Sequence, residues 1–546
     1  MRPLGSSAVA ESDASSPRTI SQIRPPTTER VHHVIHNLTV YTDTYVDSVV
    51  QLSGTRSLRG VDGVDWAAAA MATPGNIETL LAEGFDIGAL DDAGPNDLFI
   101  AIRGDSEESV AAAREAGQAA MFAERGTGGD SSAAVPDART LGDAVGRQPD
   151  SNVAVISVPG DYAALEAHKA LSAGMDVLLF SDNVPVEEEI ELKDRANRLG
   201  RLVMGPGAGT AMLGQTCLGF ANVVKPGRVA VVAAAGTGAQ EAASLVDRWG
   251  LGVSQVIGLG GRDLTAAIGG RMGIAAVKAL VDDDGTDIIL LVSKPPAVEV
   301  AHAVVEAAVG KTLVAALVGV SKDFEAPEGV TVTRTLEAGA VAAVAAAGKR
   351  APDVAEGLVD LVSERLGTLP DGRTLVRGLF SGGTLCYESL VILADVLGPV
   401  YSNTPIAKDL GLPAPAGAHM CLDLGEEEYT KGRPHPMIDP EARIELLREQ
   451  GTDPAVAAII LDVVLGYGAH PDPAAELAPI CRDIIAAGGP QIIIYVLGTD
   501  QDPQDRAAQV RAFVDAGCVV TATAARASLV AAALASRKPE IATTTL

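Results

Sequence analysis

The chain has 546 residues, a formal net charge of −28 and only 3% aromatic residues. Length alone predicts three or four domains, and the strong negative charge argues against nucleic acid or an anionic membrane as partner. The five cysteines, Cys217, Cys386, Cys421, Cys481 and Cys518, are scattered without C-x-x-C spacing, which reads as reduced thiols in a cytoplasmic protein.

Residues 1–32 are rich in Ser, Pro, Arg and Thr and read as a disordered extension. No apolar stretch reaches a membrane span without Gly, charge or turn residues, and the N-terminus lacks the order of a signal peptide. From 33 to 125 short apolar runs alternate with helical patterns, giving a small α/β or ferredoxin-like domain. Its turn Met71-Ala-Thr-Pro-Gly-Asn76 falls at the end of a strand, where either turn chemistry or a ligand explains it. Residues 125 to 150 have the composition of a linker or loop.

A Rossmann-like unit follows over 150–225. Three short strands end in Ser157-Val-Pro159-Gly160, in Ser181-Asp182-Asn183 and in Gly205-Pro206-Gly-Ala-Gly-Thr210. Lined up along one edge of a parallel sheet, these turns would form a nucleotide-type site.

The next run, Arg228-Val-Ala-Val-Val-Ala-Ala-Ala-Gly236-Thr237-Gly238, predicts a strand buried on both faces, a tight turn and a helix beginning near Thr237. The free N–H groups and positive dipole end of such a helix suit a phosphate or carboxylate. The device recurs at Leu375-Val-Arg-Gly-Leu-Phe-Ser381-Gly382-Gly383-Thr384. Ile288 to Pro296 matches Ala458 to Gly466, Thr312 to Val318 matches Gln491 to Val496, and the segment from Gly329 matches that from Gly517. Two successive units, 226–348 and 372–537, therefore share one βα order, as in a duplicated module. Packed about a pseudo-twofold, their two helix tips would converge on one anion.

Residues 150 to 345 resemble the α subunit of succinyl-CoA synthetase at Ser157-Val-Pro-Gly160, Met204-Gly-Pro206, Lys225-Pro-Gly-Arg228 and Ile257-Gly-Leu-Gly-Gly261. From about residue 33 the whole chain is still more similar to the FdrA family, described as acyl-CoA synthetase-like. The matching segments are Gly258 to Leu264, Val292-Ser-Lys-Pro-Pro296, Tyr429 to Pro440 and Leu461 to Ala469. The resemblance implies an α/β protein of several parallel-sheet domains, ending in two tandem flavodoxin-like ligase domains. It also implies chemistry through an acyl phosphate held between two helix N-termini, CoA as a cofactor, separate partner subunits and a homo-oligomer. One branch of the family is associated with carbamoyl transfer between oxalurate and phosphate, and a reading from a different class is a non-catalytic scaffold subunit that binds an acyl-CoA or nucleotide. Three departures stand out. The phosphorylated histidine segment Gly-His-Ala-Gly is replaced by Leu317-Val-Gly-Val-Ser-Lys322, the usual CoA turn has become Gly205 to Thr210, and no residues remain for an ATP-grasp domain.

His435 is the leading candidate for catalysis. It lies with Arg433 and Asp439 in a segment punctuated by Pro434, Pro436 and Pro440, whose fixed backbone would orient the side chains between. Arg433 could grip a phosphate or carboxylate while His435 moves a proton or accepts a phosphoryl group. The alternative is an Arg433–Asp439 ion pair that locks the loop, with His435 merely hydrogen-bonding backbone. Asp462 interrupts a buried strand and needs donors or a catalytic role. Arg262, Asp263 and Lys294 follow strand ends and are candidates to touch a small anionic substrate. No two His or Cys have ligand spacing, so no metal site is expected.

Overall fold

The structure is a computed structural model that describes residues 35–46, 48–91, 93–122, 138–430 and 433–546. The 1–32 extension and much of the 125–150 linker lie outside those residues. The chain divides into two compact units, 1–129 and 130–546, each taken by itself below. Among the described residues no helix is long and apolar enough to cross a membrane.

The first unit runs β1 (Ile35–Tyr41), α1 (Ser48–Arg59), β2 (Val64–Met71), α2 (Pro74–Ala82), β3 (Leu98–Gly104) and α3 (Glu107–Phe122). Its sheet has the order β1-β3-β2, and β3 pairs antiparallel with both neighbours. This antiparallel order is the ferredoxin-like alternative, in place of a parallel sheet: β3 inserts between β1 and β2 instead of joining at an edge. Alternation explains the layering, since Leu98, Ile100 and Ile102 join one apolar cluster and Phe99 and Ala101 the other. The Met71 to Asn76 turn is closed on itself: Thr73 Oγ1 accepts the Asn76 amide at 3.4 Å, and Asn76 Nδ2 donates to Met71 O at 2.8 Å.

The second unit opens with α4 (Leu141–Arg147), a helix where the sequence suggests only linker. Then come β4 (Val153–Ile156), α5 (Gly160–Ser172), β5 (Asp176–Leu179), α6 (Val186–Leu199) and β6 (Val203–Met204). The three strands pair in parallel in the order β4-β5-β6.

A hairpin, β7 (Thr210–Leu213) and β8 (Thr216–Gly219), leads into the first repeat. This comprises β9 (Pro226–Ala233), α7 (Gly236–Arg248), β10 (Val253–Gly258), α8 (Arg271–Val281), β11 (Ile288–Ser293), α9 (Val298–Glu306), β12 (Thr312–Leu317), β13 (Thr331–Thr333) and α10 (Leu336–Ala346). After α11 (Leu358–Leu366) the second repeat follows. It has β14 (Leu375–Phe380), α12 (Gly383–Leu397), β15 (Val400–Tyr401), β16 (His419–Asp423), α13 (Glu427–Thr430), α14 (Glu441–Thr452), β17 (Val456–Val464), α15 (Pro473–Ala486), β18 (Gln491–Leu497), α16 (Arg506–Asp515), β19 (Val519–Thr521) and α17 (Ala524–Ser536).

The two large sheets have the orders β13-β12-β11-β9-β10-β7-β8 and β15-β16-β14-β17-β18-β19. Removing the β7–β8 hairpin and β15 leaves the same flavodoxin-like path, with first strand (β9 or β14) flanked by the second and third. This is the doubly wound order in which ligands bind beyond the carboxyl end of the first strand. The continuous apolar strands, such as Ile288–Ser293 and Val456–Val464, are buried at every position, as expected where helices cover both faces.

The repeats are tied through equivalent positions. Glu241 and Glu388 each stand five residues after the first helix residue, Gly236 or Gly383. Glu388 accepts the Leu336 amide at the start of α10 at 2.6 Å. Glu241 takes the hydroxyl of Tyr495 and the backbone of Ala524 at the start of α17. Each glutamate thus caps a helix of the other repeat. Burial raises their carboxyls to about 7 for Glu241 and about 8 for Glu388.

Candidate functional site

Strands β9 and β14 deliver the tips of α7 and α12 to a shared cleft of about 300 Å³. Gly236 and Thr237 line it from one repeat, and Ser381, Gly383 and Thr384 from the other. Neither helix is capped by the side chain of its own N-cap residue, because Ala235 and Gly382 occupy those positions. The tips touch: Thr384 N donates to Thr237 Oγ1 at 3.3 Å. Close approach is what Gly238 permits, since a Cβ there would come within 2.9 Å of Thr384 Cγ2 and 3.1 Å of Val292 Cγ1.

Three further segments complete the cleft. The turn Gly207 to Thr210 and the glycines Gly258, Gly260 and Gly261 form a backbone wall. Lys294, at the end of β11, lines a second side, with its Nζ 5.2 Å from the ring centre of Tyr387. Asp423, Gly425, Glu426, His435 and Met437 form the third.

His435, the catalytic candidate of the sequence analysis, lines this cleft, and its ring is neutral. Its Nδ1 accepts the Met437 amide at 3.2 Å, so the neutral ring carries its proton on Nε2. Burial lowers its basicity to about 4, which keeps the ring neutral. Nε2 faces Gly425, where a Cβ would lie 2.7 Å away. A neutral Nε2–H is a hydrogen-bond donor. It becomes a nucleophile only after losing that proton.

The partners proposed for His435 from sequence are elsewhere. Arg433 forms a half-exposed ion pair with Glu445 at 3.0 Å, a different partner from the Asp439 of the loop-locking alternative. Asp439 accepts the Glu441 amide at 3.0 Å at the entry to α14. Asp462 is buried and well supplied with donors: it accepts Ser381 N at 2.7 Å, Ser381 Oγ at 3.1 Å and Gly382 N at 2.8 Å, and lies 3.3 Å from Arg443 Nη2. An internal carboxylate thus already satisfies the Ser381 and Gly382 amides just before α12.

Arg262 and Asp263 are likewise taken up by the protein. The buried ammonium of Lys193 is held by Glu189 at 2.7 Å, Asp263 at 2.8 Å and Leu259 O at 3.1 Å. Arg262 closes the network on Glu189 at 2.8 Å, and Asp263 also caps α8 through Met272 N and Gly273 N. The pair clamps α6 to the turn after β10 and stays off the cleft, because a buried Lys demands several acceptors.

The side chains that sequence reasoning passes over are Asp423, Glu426 and Arg443. Asp423 ends β16 and is buried. Asn403 grips its backbone at both ends, with Asn403 Nδ2 to Asp423 O at 2.8 Å and Asp423 N to Asn403 Oδ1 at 2.9 Å. Burial, reinforced by Glu426, raises its carboxyl to about 7. An acid at the carboxyl end of a buried strand run is the signal that could have found it, the same signal that marks Asp462.

The turns ending β4, β5 and β6 lie together at one edge. Gly207 N donates to Ser181 O at 2.9 Å, and a Cβ on Gly160 would strike Asp182 O at 2.5 Å. Ser157, Pro159, Asp182 and Asn183 are exposed, whereas Ser181, Gly205 and Pro206 are buried. Among the described residues the Ser181 hydroxyl has no hydrogen-bond partner. Helices α5 and α6 start there with Pro159 and Pro185 as uncapped N-termini. These backbone donors and the orphan hydroxyl fit the diphosphate of a nucleotide-type group such as CoA. The side chains around them are acidic: Asp161 begins α5 and Glu187, Glu188 and Glu189 begin α6. The turn Gly205 to Thr210 joins this edge to the central cleft.

Comparison with known proteins agrees with this architecture. Residues 379–534 match the family model described as CoA-ligase, and residues 34–136 match the model described as AllF, heavy metal-associated domain. The uncharacterized protein YahF of Escherichia coli (strain K12) is 38% identical over 504 residues, 90% of this chain and 96% of that protein. The succinate–CoA ligase α subunit 2 of Archaeoglobus fulgidus is 31% identical over 31% of this chain and 58% of its own length. The corresponding α subunit of Methanothermobacter thermautotrophicus is 26% identical over 28% of this chain and 51% of its own. The chain therefore spans nearly all of YahF, but only about half of those two ligase subunits.

Proposed function

The chain belongs to the YahF-like FdrA family, related to the α subunit of succinyl-CoA synthetase. From that premise we propose that it is an enzyme subunit of acyl-CoA ligase type, which holds an acyl phosphate in the central cleft and passes the acyl group to a small acceptor. The observation that carries this reading is the opening of two helix tips, Gly236–Thr237 and Gly383–Thr384, whose N-cap residues offer no side-chain acceptor, on one cleft beside Lys294 and His435.

The chemistry follows from those groups. The phosphate oxygens take the tip amides and the positive ends of both helix dipoles, which are already in place before the ligand arrives. Lys294 adds a point charge. The Nε2–H of His435 donates to an oxygen of the acyl phosphate, stabilising charge as it builds on the departing phosphate. CoA, held at the neighbouring edge by Ser181 and the turns around Gly160 and Gly205, would supply a thiol acceptor. With Leu317 to Lys322 free of histidine, phosphate enters and leaves as a small molecule in this reading.

A second reading keeps the cleft and changes the acceptor. The acids Asp161, Asp182, Glu187 and Glu188 surround the edge, and the nearby cation Arg262 is spent on Glu189, which disfavours the phosphates of CoA. That favours carbamoyl transfer between phosphate and a small acceptor such as oxamate.

The family model over 34–136 carries the words heavy metal-associated, yet that segment contains no cysteine, the first being Cys217. Among the described residues no group of three or more His, Cys, Asp or Glu could hold a metal ion. The donor set does not fit a soft metal, and no step is routed through one.

The test is phosphate release by the protein with its partner subunits, given acetyl or succinyl phosphate plus CoA in one arm and carbamoyl phosphate plus oxamate in the other. Release in the first arm supports the ligase reading, and release only in the second supports the carbamoyl reading. No release in either arm, with no acyl phosphate bound, overturns both.

A further inference from the structure

Asp423 is the least expected group in the cleft. A carboxylate beside two helix tips and an ammonium would compete with an incoming anion for the same donors. Its position is nonetheless built with care: Asn403 fixes its backbone, Oδ1 accepts the Gly425 amide at 3.0 Å, and the residue is only 3% exposed. Among the described residues Oδ2 has no hydrogen-bond partner, and it lies over Gly383, where a Cβ would be 2.4 Å from it. The unused oxygen thus hangs at the first residue of α12, inside the proposed anion site.

We propose that Asp423 binds the anion as a carboxylic acid, its Oδ2–H donating to a ligand oxygen, so that each phosphate-bearing ligand enters the cleft together with one proton. This rests on the reading of the cleft as an anion site. The groups facing Asp423 agree with it. Burial, Glu426 in the turn after β16 and Asp462 on β17 all favour the protonated form; the Gly425 amide and Lys294, just after β11, oppose it, and the balance leaves the carboxyl at about 7. His435 is neutral and Arg443 is engaged by Asp462. A bound dianion adds negative charge beside Oδ2 and drives the carboxyl further toward its acid form. The acid then serves as a donor where its carboxylate would repel. Asp423 would also select for ligands that present an unprotonated oxygen at that point.

Sulfate is a suitable probe because it stays a dianion throughout the range of interest. Calorimetry on the full-length protein at pH 8, in two buffers of different ionisation enthalpy, should show uptake of about one proton per sulfate bound. Affinity should fall about tenfold per pH unit above pH 7 in the native protein. In Asp423→Asn, which keeps the acceptor for Gly425 and offers an N–H in place of the O–H, the uptake should vanish and affinity should become flat between pH 6 and 9. Lys294→Met should weaken sulfate at every pH, which locates the ion in the cleft. Sulfate that binds the native protein and responds to Lys294→Met, but without proton uptake, overturns the role of Asp423 and leaves the anion site standing. Sulfate that fails to bind the native protein at pH 6 and at pH 8 overturns the anion site and this inference with it.

Discussion

The amide of Thr384 donates to the hydroxyl of Thr237 at 3.3 Å across 147 residues of chain. Both are the second residue of a tip helix, so equivalent positions of the two repeats meet face to face. Small residues set the spacing: a Cβ on Gly238 would meet Thr384, and one on Gly382 would meet Thr237 Cγ2 at 2.9 Å. The cleft is open because the backbones there approach as closely as they do.

Gly238→Val tests that spacing. Its added methyls would press on Thr384, Val292 and Ala235, all within 3.2 Å of the new Cβ, at a cost of about 1–3 kcal/mol. Sulfate affinity by calorimetry should drop by about tenfold or more as the tips are wedged apart. Unchanged affinity in a folded variant would remove the shared cradle.

Asp462→Ala should be far worse for stability than for chemistry. It strands the buried Arg443 guanidinium and the Ser381 and Gly382 amides, a loss of about 3–5 kcal/mol in urea unfolding. Adding Arg443→Leu should recover part of it, because the unpaired charge leaves as well. A wild-type midpoint for Asp462→Ala with activity lost would instead place Asp462 in catalysis.

His435 gives a pH signature. Its ring is held neutral near 4 against an ordinary 6.5, so the unfolded chain binds the proton first as pH falls. Above 6.5 neither state is protonated and nothing is lost; between 6.5 and 4 the folded state is progressively disfavoured. Between pH 7 and pH 5 this amounts to about 2 kcal/mol. His435→Gln should lose less stability than the native protein over that interval, with His419, also lowered by burial, supplying part of the remainder. Identical pH profiles would contradict the buried neutral ring.

Arg433→Ala should be nearly silent. Its ion pair with Glu445 is about half exposed on both sides, and such pairs contribute about 0–1 kcal/mol. Sulfate affinity should be unchanged. A loss of binding would return Arg433 to the site.

The strand and helix path of the second unit was legible because its signals are local: apolar runs such as Val229–Ala235 and the glycines after them. The duplication was legible for the same reason, and the matching sheet orders repeat it in three dimensions. Side-chain destinations were not legible in this way. Arg262, Asp263 and Asp462 sit at strand ends as ligand-binding groups do, yet each is spent on a buried partner, Glu189, Lys193 and Arg443, that lies on another element. Arg433 and His435 are two residues apart, but the turn between them sends one to solvent and the other into the cleft. Asp423 escaped notice because its importance arises from Asn403, Glu426 and Gly383, which only the fold assembles around it.

The most direct measurement of the central claim is an anomalous difference map from crystals of the protein grown with selenate in place of phosphate. The account predicts a selenium peak between the first residues of α7 and α12, within hydrogen-bond distance of the Gly236 to Gly238 and Gly383 amides and beside Lys294. A selenate bound elsewhere while this cleft stays empty at saturating concentration would contradict it.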